Sequence, residues 1–164
     1  MTADARPRGP FVRELLPVWL VTTVWDGVCA PALGVLAYGS TAAGVWQGVA
    51  STVLGASALT GGAGATAVGL GLHTMVALTW SAVFVAAARN WPSLRRMIRT
   101  PGGALAVAAM YGPVIWLVMS LVVIPIATGR PPRIGARWWV QVGAHIPFVS
   151  LPLVFTTRRL MTRA

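Results

Sequence analysis

The stretch LLPVWLVTTVWDGVCAPALGVLAY, residues 15–38, carries one charged side chain, Asp26, in an otherwise uncharged run. A membrane-spanning helix needs about 20 mainly apolar residues, and this run is long enough to supply them. It is too long for the apolar part of a secretion signal, and no clear small-x-small cleavage site follows it. The stretch therefore predicts a retained transmembrane helix.

The composition of the whole chain agrees with this prediction. Of 164 residues, 56% are hydrophobic and only 10% are charged, whereas a soluble domain carries about 25% charged residues. Further uncharged runs cover about 65–88, 103–127 and about 138–155. We predict an all-α integral membrane four-helix bundle, with one four-span domain over 15–157 between basic tails at 1–14 and 158–164.

The connection between the first two spans is uncharged and rich in small residues: GSTAAGVWQGVASTVLGASALTGGAGA, residues 39–65. Its apolar part is too short to form a further transmembrane helix. We expect a short interfacial or re-entrant helix here, with the glycine-rich end leading into the second span. An ordinary loop with one or two helical turns is the alternative.

All thirteen basic residues are arginines, and their distribution predicts the orientation of the spans. Ten lie in the two tails and in the 89–102 connection, and three lie on the opposite side (Arg130, Arg133 and Arg137). The positive-inside rule places both termini in the cytoplasm. Because the arginines form short groups between apolar runs, they predict contacts with anionic lipid head groups and exclude nucleic-acid binding. The absence of lysine, with abundant Ala, Val, Gly and Arg, indicates a GC-rich bacterial genome and hence the bacterial inner membrane.

Three ionisable side chains lie within the predicted spans: Asp26, His73 in GLGLHTMV and His145 in VGAHIPF. A buried acid costs about 2.5–3.5 kcal/mol on insertion scales, so it usually faces a partner or water. Counted from the outer span ends, the three lie about 18, 12 and 10 Å deep and could share one layer. An Asp–His pair in such surroundings can pass a proton or respond to pH. The sequence thus predicts a proton-sensing or proton/ion-conducting centre.

A purely structural role for these polar groups is the competing hypothesis. Thr22 and Thr23 lie one turn before Asp26 on a similar face, and Cys29 lies one turn after, so they could hydrogen-bond the carboxyl locally. Asp26 and His73 would then only pair two helices, which is worth about 0.6–2 kcal/mol. Gln47 in the 39–65 connection is a further supporting polar residue. The protein would be a structural or assembly subunit of the membrane; its partner, another copy or another membrane protein, stays open.

The two histidines also allow a haem hypothesis. Both follow a V-x-x-G-x-H pattern, ending at His73 and His145, in spans that run in the same direction. Two helices can ligate haem through one histidine each. The single cysteine, Cys29, excludes an internal disulfide and a cysteine-based zinc site. Apart from this haem alternative, the sequence predicts no cofactor and no metal.

Enzyme chemistry has no support in the sequence. The chain lacks G-x-S-x-G, H-E-x-x-H and a phosphate-cradling G-x-x-x-x-G-K. Its acids are Asp4, Glu14 and Asp26, two of which lie at the N-terminal edge, so no carboxylate dyad can form. We predict that the protein is not an enzyme.

Several stretches together resemble one family. Besides Asp26 they are VWQGVASTVLG (45–55), the glycine pair 61–62, GLGLHTMVALTW (69–80) and YGPVIWLVMSLVVIPIA (111–127). Over about 20–156 the chain resembles the YagU-like bacterial inner-membrane proteins, a domain-of-unknown-function family. In that pattern Asn and then V-V-L-P-L-S follow the VM pair, whereas this chain has Ser120 and later Ile126–Ala127. The resemblance implies the four-helix architecture and transfers no catalytic or binding residue.

Overall fold

The computed structural model describes residues 10–163, without the side chain of Arg163. Predictions for residues 1–9, including Arg6 and Arg8, and for residue 164 lie outside the described residues. Within them the secondary structure is entirely helical. In chain order the α-helices are α1 (Phe11–Tyr38), α2 (Ala42–Leu54), α3 (Gly62–Asn90), α4 (Pro92–Arg99), α5 (Pro101–Val118), α6 (Ile124–Thr128), α7 (Ala136–His145) and α8 (Leu151–Arg163).

Four helical rods are long and apolar enough to cross a membrane: α1, α3, the continuous α5–α6 rod Pro101–Thr128 and the continuous α7–α8 rod Ala136–Thr162. Much of their apolar surface points away from the protein; Leu36 is 86% and Ile126 is 79% exposed. Exposed apolar surface of this kind is stable in contact with lipid chains and not in contact with water. The predicted all-α four-span membrane fold is confirmed. Each rod extends beyond its predicted bounds, because the helices continue into polar flanking turns.

The two ends of the bundle are fixed by different contacts. At one end, which we call the tail end, Glu14 near the start of α1 faces Arg89 near the end of α3, with Oε2 and Nη1 3.3 Å apart. Here α4 and α8 are also joined, because Nε of Arg158 donates to the carbonyl of Arg99 at 3.1 Å. At the other end, the loop end, the guanidinium of Arg137 lies 4.6 Å from the ring centroid of Tyr38.

An apolar core fills the tail end. It draws buried side chains from α1, α3, α4, α5 and α8, and we call it the tail-end core. Ile98 of the short α4 is 1% exposed, so this helix is anchored against the bundle by its apolar face. The tail-end core consists of Val18, Phe84, Val85, Ala88, Ile98, Ala104, Val107, Ala108, Leu153 and Val154.

The connection between the first two spans is a true helix, α2. Thr41 caps it by accepting a hydrogen bond from the backbone N–H of Gly44 at 2.9 Å, as expected of an N-cap threonine. On α3, Gly69 packs directly against the backbone of Trp46, and no larger residue would fit there. Small residues allow such close helix packing in membranes. The extra short helix is confirmed, and the alternative of an ordinary loop is wrong.

Two of the rods contain a widened turn next to a proline. Met119–Val123, just before Pro125, and Ile146–Ser150, which includes Pro147, each form one π-helical turn. Proline removes a backbone donor from the helix ladder, and π-turns occur at such interruptions. The second turn holds His145 at its N-terminal boundary and turns Ser150 toward the neighbouring α5.

Candidate functional site

The site is built around Asp26 on α1 and His73 on α3. Nδ1 of His73 lies 3.6 Å from Oδ2 of Asp26, and the side chains are 12% and 20% exposed respectively. Nε2 of the same imidazole lies 3.2 Å from the carbonyl oxygen of Thr23. The structure therefore brings together the two residues that the sequence proposed as a pair.

Small residues and aromatic rings hold His73 in this position. Gly27 leaves space beside the imidazole, since a Cβ at that position would lie 3.6 Å from Nε2. The indole of Trp19 donates to the carbonyl of Thr74 at 3.0 Å and joins α1 to α3 one residue further along. On the other side, the ring centroid of Trp46 lies 5.0 Å from that of His73. The imidazole is thus enclosed by α1 and α2.

This geometry determines where protons can reside. The carbonyl oxygen of Thr23 can only accept a hydrogen bond, so Nε2 of His73 carries a proton. Nδ1 then faces the Asp26 carboxyl and can share a second proton with it. With that proton the pair is electrically neutral overall, either as two neutral groups or as an imidazolium–carboxylate pair. Loss of the proton leaves one negative charge at the site.

Asp26 and His73 line a cavity of about 530 Å³ between the helices, which we call the central cavity. His145 lines the same cavity from α7. Most other walls are apolar side chains of α2, α3 and the α5–α6 rod. They are Val45, Val49, Val53, Leu72, Met75, Val76, Ala77, Trp80, Ile115, Trp116, Met119, Val123, Ile124 and Ala127, and Val149 of the α7–α8 rod adds to them.

His145 has different partners from His73. Its Nδ1 lies 2.8 Å from the carbonyl oxygen of Gln141, one turn earlier on α7. Its ring centroid lies 5.0 Å from that of Trp116. Within residues 10–163, the hydrogen-bond and ring contacts of its imidazole are with these two residues and not with Asp26. His145 therefore shares the cavity with the pair without joining it.

The expected local hydrogen bonds from threonine to Asp26 are wrong. The hydroxyls of Thr22 and Thr23 are buried and have no hydrogen-bond partner among the described residues. Thr23 contributes its backbone carbonyl instead, and Thr22 forms part of the cavity wall. The reason is that the Asp26 carboxyl points toward His73 on α3 and not toward the preceding turn of its own helix.

Gln47 is also not part of the site. Its Nε2 donates to the carbonyl of Gly62 at 3.3 Å and lies in a separate shallow pocket with Thr66 and Leu70. Successive residues of an α-helix point about 100° apart, so the neighbouring Trp46 faces His73 while Gln47 faces away. Sequence reasoning missed Trp46, because only the helical register of α2 identifies it.

A second cavity, of about 440 Å³, opens at the loop end beside the central one. We call it the arginine vestibule, because it is lined by Arg130, Arg133 and Arg137. These are the three arginines that the orientation prediction places on the side opposite to the other ten. The two cavities have wall residues in common, namely Gly48, Thr52, Trp116 and Ile124.

The geometry does not favour a metal or a bis-histidine haem. Residues 10–163 contain no group of three or more His, Cys, Asp and Glu side chains placed to hold a metal ion. Both ring nitrogens of His73 already face oxygen atoms, of Thr23 and of Asp26. Ligation of iron by either nitrogen of His73 would require the imidazole to give up one of these two contacts.

Comparison of the chain with protein-family models, with curated proteins and with solved structures gives no significant match.

Proposed function

We propose that this is a multi-pass protein of the bacterial cytoplasmic membrane in which the Asp26–His73 pair takes up and releases a proton as the pH changes. One observation carries the proposal. The Thr23 carbonyl fixes the proton on Nε2 of His73, so that Nδ1 is directed at the Asp26 carboxyl across 3.6 Å. This is a two-group site at which one proton is gained or lost, on the wall of a cavity that can hold water.

The surroundings favour proton sensing over continuous conduction. The central cavity adjoins the arginine vestibule at the loop end, so protons can reach the pair from that side. Toward the tail end, the path is filled by the tail-end core, whose Val85, Leu153 and Val154 are fully buried. A site that exchanges protons with one side only suits a sensor.

We also propose that both termini lie in the cytoplasm and that the loop end faces outward. Among the described residues, the tail end carries Arg13, Arg89, Arg158, Arg159 and the arginines of α4, whereas the loop end carries three. The single Cys29 makes this easy to test. In a Cys29→Ser background, cysteines placed at Gly135 and at Thr162 should react with a membrane-impermeant reagent from opposite sides. Equal labelling of both in intact cells would contradict the orientation.

The proton site is tested most directly by infrared spectroscopy. The chain has only three acidic side chains, so the carbonyl stretch of a protonated acid is readily assigned. In pH-difference spectra of the protein in lipid, one such band should titrate, vanish in Asp26→Asn and change midpoint in His73→Gln. Glu14→Gln is the matched control and should leave this band in place. A difference spectrum that is the same for Asp26→Asn and wild type would overturn the proposal.

The second candidate is a structural or assembly subunit, and one observation favours it. Indole N–H groups already join the helices at this level: Trp25 of α1 donates to the carbonyl of Pro147 at 3.1 Å. The Asp26–His73 contact could be one more link of this kind. This candidate requires the pair to stabilise the fold without any pH response. Membership of the YagU-like group, the absence of enzymatic activity and the identity of any protein partner stay predictions.

A further inference from the structure

The arginine vestibule and the central cavity adjoin each other, and we call them the two chambers. Gly48 and Thr52 on α2, Trp116 on α5 and Ile124 on α6 line both. A molecule that occupied both chambers would pass between these four residues. The chambers differ in chemistry, which restricts what such a molecule can be.

The vestibule carries positive charge that no acid of the described chain offsets. Its three arginines lie at the loop end, whereas Glu14 faces Arg89 at the tail end and Asp26 faces His73. Ser51, Thr52 and Gln141 are among the uncharged polar residues of the lining. Guanidinium groups bind carboxylates and phosphates through paired hydrogen bonds. This chamber is suited to an anionic group.

The central cavity is apolar over most of its wall. Aliphatic, methionine and tryptophan side chains make up most of it, and the polar exceptions are Asp26, His73, His145, Thr22 and Thr52. Volumes of about 440 and 530 Å³ each lie within the range of small-molecule sites, about 300–1,000 Å³. This chamber is suited to a hydrocarbon chain.

We infer that the two chambers together bind a single-chain anionic amphiphile, with its carboxylate or phosphate head at Arg130, Arg133 and Arg137 and its alkyl chain in the central cavity. The inference rests on the charge and shape of the space and not on proton exchange by Asp26. Charge complementarity at the entrance admits anions and rejects cationic amphiphiles. The bound chain would lie against Trp116, at the boundary between the chambers.

Binding is measured by equilibrium dialysis of the full chain in phosphatidylcholine nanodiscs, with protein-free nanodiscs subtracted. The probes are dodecanoate, dodecyl phosphate, dodecyltrimethylammonium and inorganic phosphate. We expect saturable binding of one or both anionic amphiphiles. Dodecanoate alone would identify a fatty acid as the ligand class, and dodecyl phosphate alone a phosphorylated lipid. Saturable binding of the cation, or equally tight binding of inorganic phosphate, would overturn the inference.

Two kinds of variant test the placement of the ligand. Gly48→Leu inserts a side chain into the shared wall, where the Cβ meets nothing within 4 Å. It should weaken binding about tenfold or more, which is about 1.4 kcal/mol. Gly71→Leu is the matched control, because its Cβ also meets nothing within 4 Å and Gly71 lines neither chamber; it should leave binding unchanged.

The arginine substitutions test the head group separately. The double variant Arg130→Gln/Arg133→Gln changes exposed loop residues and should fold. It should weaken binding of the anions by a similar factor. Binding that survives both this variant and Gly48→Leu would place the amphiphile on the lipid-facing surface and overturn the inference.

Discussion

The indole of Trp46 lies beside the imidazole of His73, with ring centroids 5.0 Å apart and ring planes inclined at 50°. The second histidine has a similar neighbour, since the rings of Trp116 and His145 are also 5.0 Å apart and are inclined at 48°. Each histidine of the central cavity is thus in contact with one indole. A positively charged imidazolium interacts with the π-system of such a ring, and it quenches indole fluorescence at contact distance.

Tryptophan emission should therefore report protonation of His73. The pair gains one proton on acidification; in the molecules in which this proton resides on His73 rather than on the Asp26 carboxyl, the imidazolium should quench the emission of Trp46. Trp46→Phe or His73→Gln should remove this part of the change. His145→Gln is the control, because it should remove only the part that comes from Trp116. The measurement is a fluorescence titration in nanodiscs. A pH response that is unaffected by His73→Gln would show that His73 does not change its protonation state.

Asp26 and His73 should also be coupled energetically. We expect Asp26→Asn and His73→Gln to be non-additive in the free energy of unfolding. Polar pairs between membrane helices couple by about 0.6 kcal/mol on average and by about 1.7 kcal/mol at most, and we expect a value between these two. Unfolding in mixed micelles measures the double-mutant cycle. Additivity within about 0.3–0.5 kcal/mol would mean that the two groups act independently.

Close packing of α2 on α3 should depend on Gly69. A Cβ at this position would overlap the backbone of Trp46, so Gly69→Ala should destabilise the fold by about 1–3 kcal/mol, as overpacking does. Gly71→Ala is the matched control, because it adds the same methyl group at a position where a Cβ meets no atom within 4 Å. It should be neutral or stabilising by up to about 1 kcal/mol, since alanine favours the helix. Equal effects of the two changes would argue against the observed packing of α2.

The hydroxyl of Ser150 should contribute to stability, whereas that of Ser81 should not. Both side chains are fully buried. Oγ of Ser150 donates to the carbonyl of Ala108 at 2.6 Å and links α5 to the π-turn before α8, but Oγ of Ser81 has no partner among residues 10–163. Ser150→Ala should cost about 1 kcal/mol, and Ser81→Ala should be neutral or stabilising. Thermal unfolding in detergent compares them; a larger loss for Ser81→Ala would reverse this assignment.

The four spans could be predicted from the sequence because the physical rule behind them is local. In a membrane each backbone group must find its partner within its own helix, so long uncharged runs are sufficient evidence. Asp26 and His73 could be selected in the same way, because an ionisable residue in such a run stands out without any knowledge of the fold. The short helix α2 could also be predicted, because its segment is uncharged, although the sequence allowed an ordinary loop as well.

The tertiary structure decided what these residues contact. Asp26 could have bonded the hydroxyls of Thr22 and Thr23 on its own helix, but its carboxyl faces His73 on α3. Trp46 rather than Gln47 faces the imidazole, because the register with which α2 packs against α3 selects one of two adjacent side chains. The long uncharged runs of the sequence were sufficient to predict the membrane and the number of crossings. Side-chain partners depend on interhelical register and rotation, which are set by close contacts such as Gly69 against Trp46 between segments far apart in sequence.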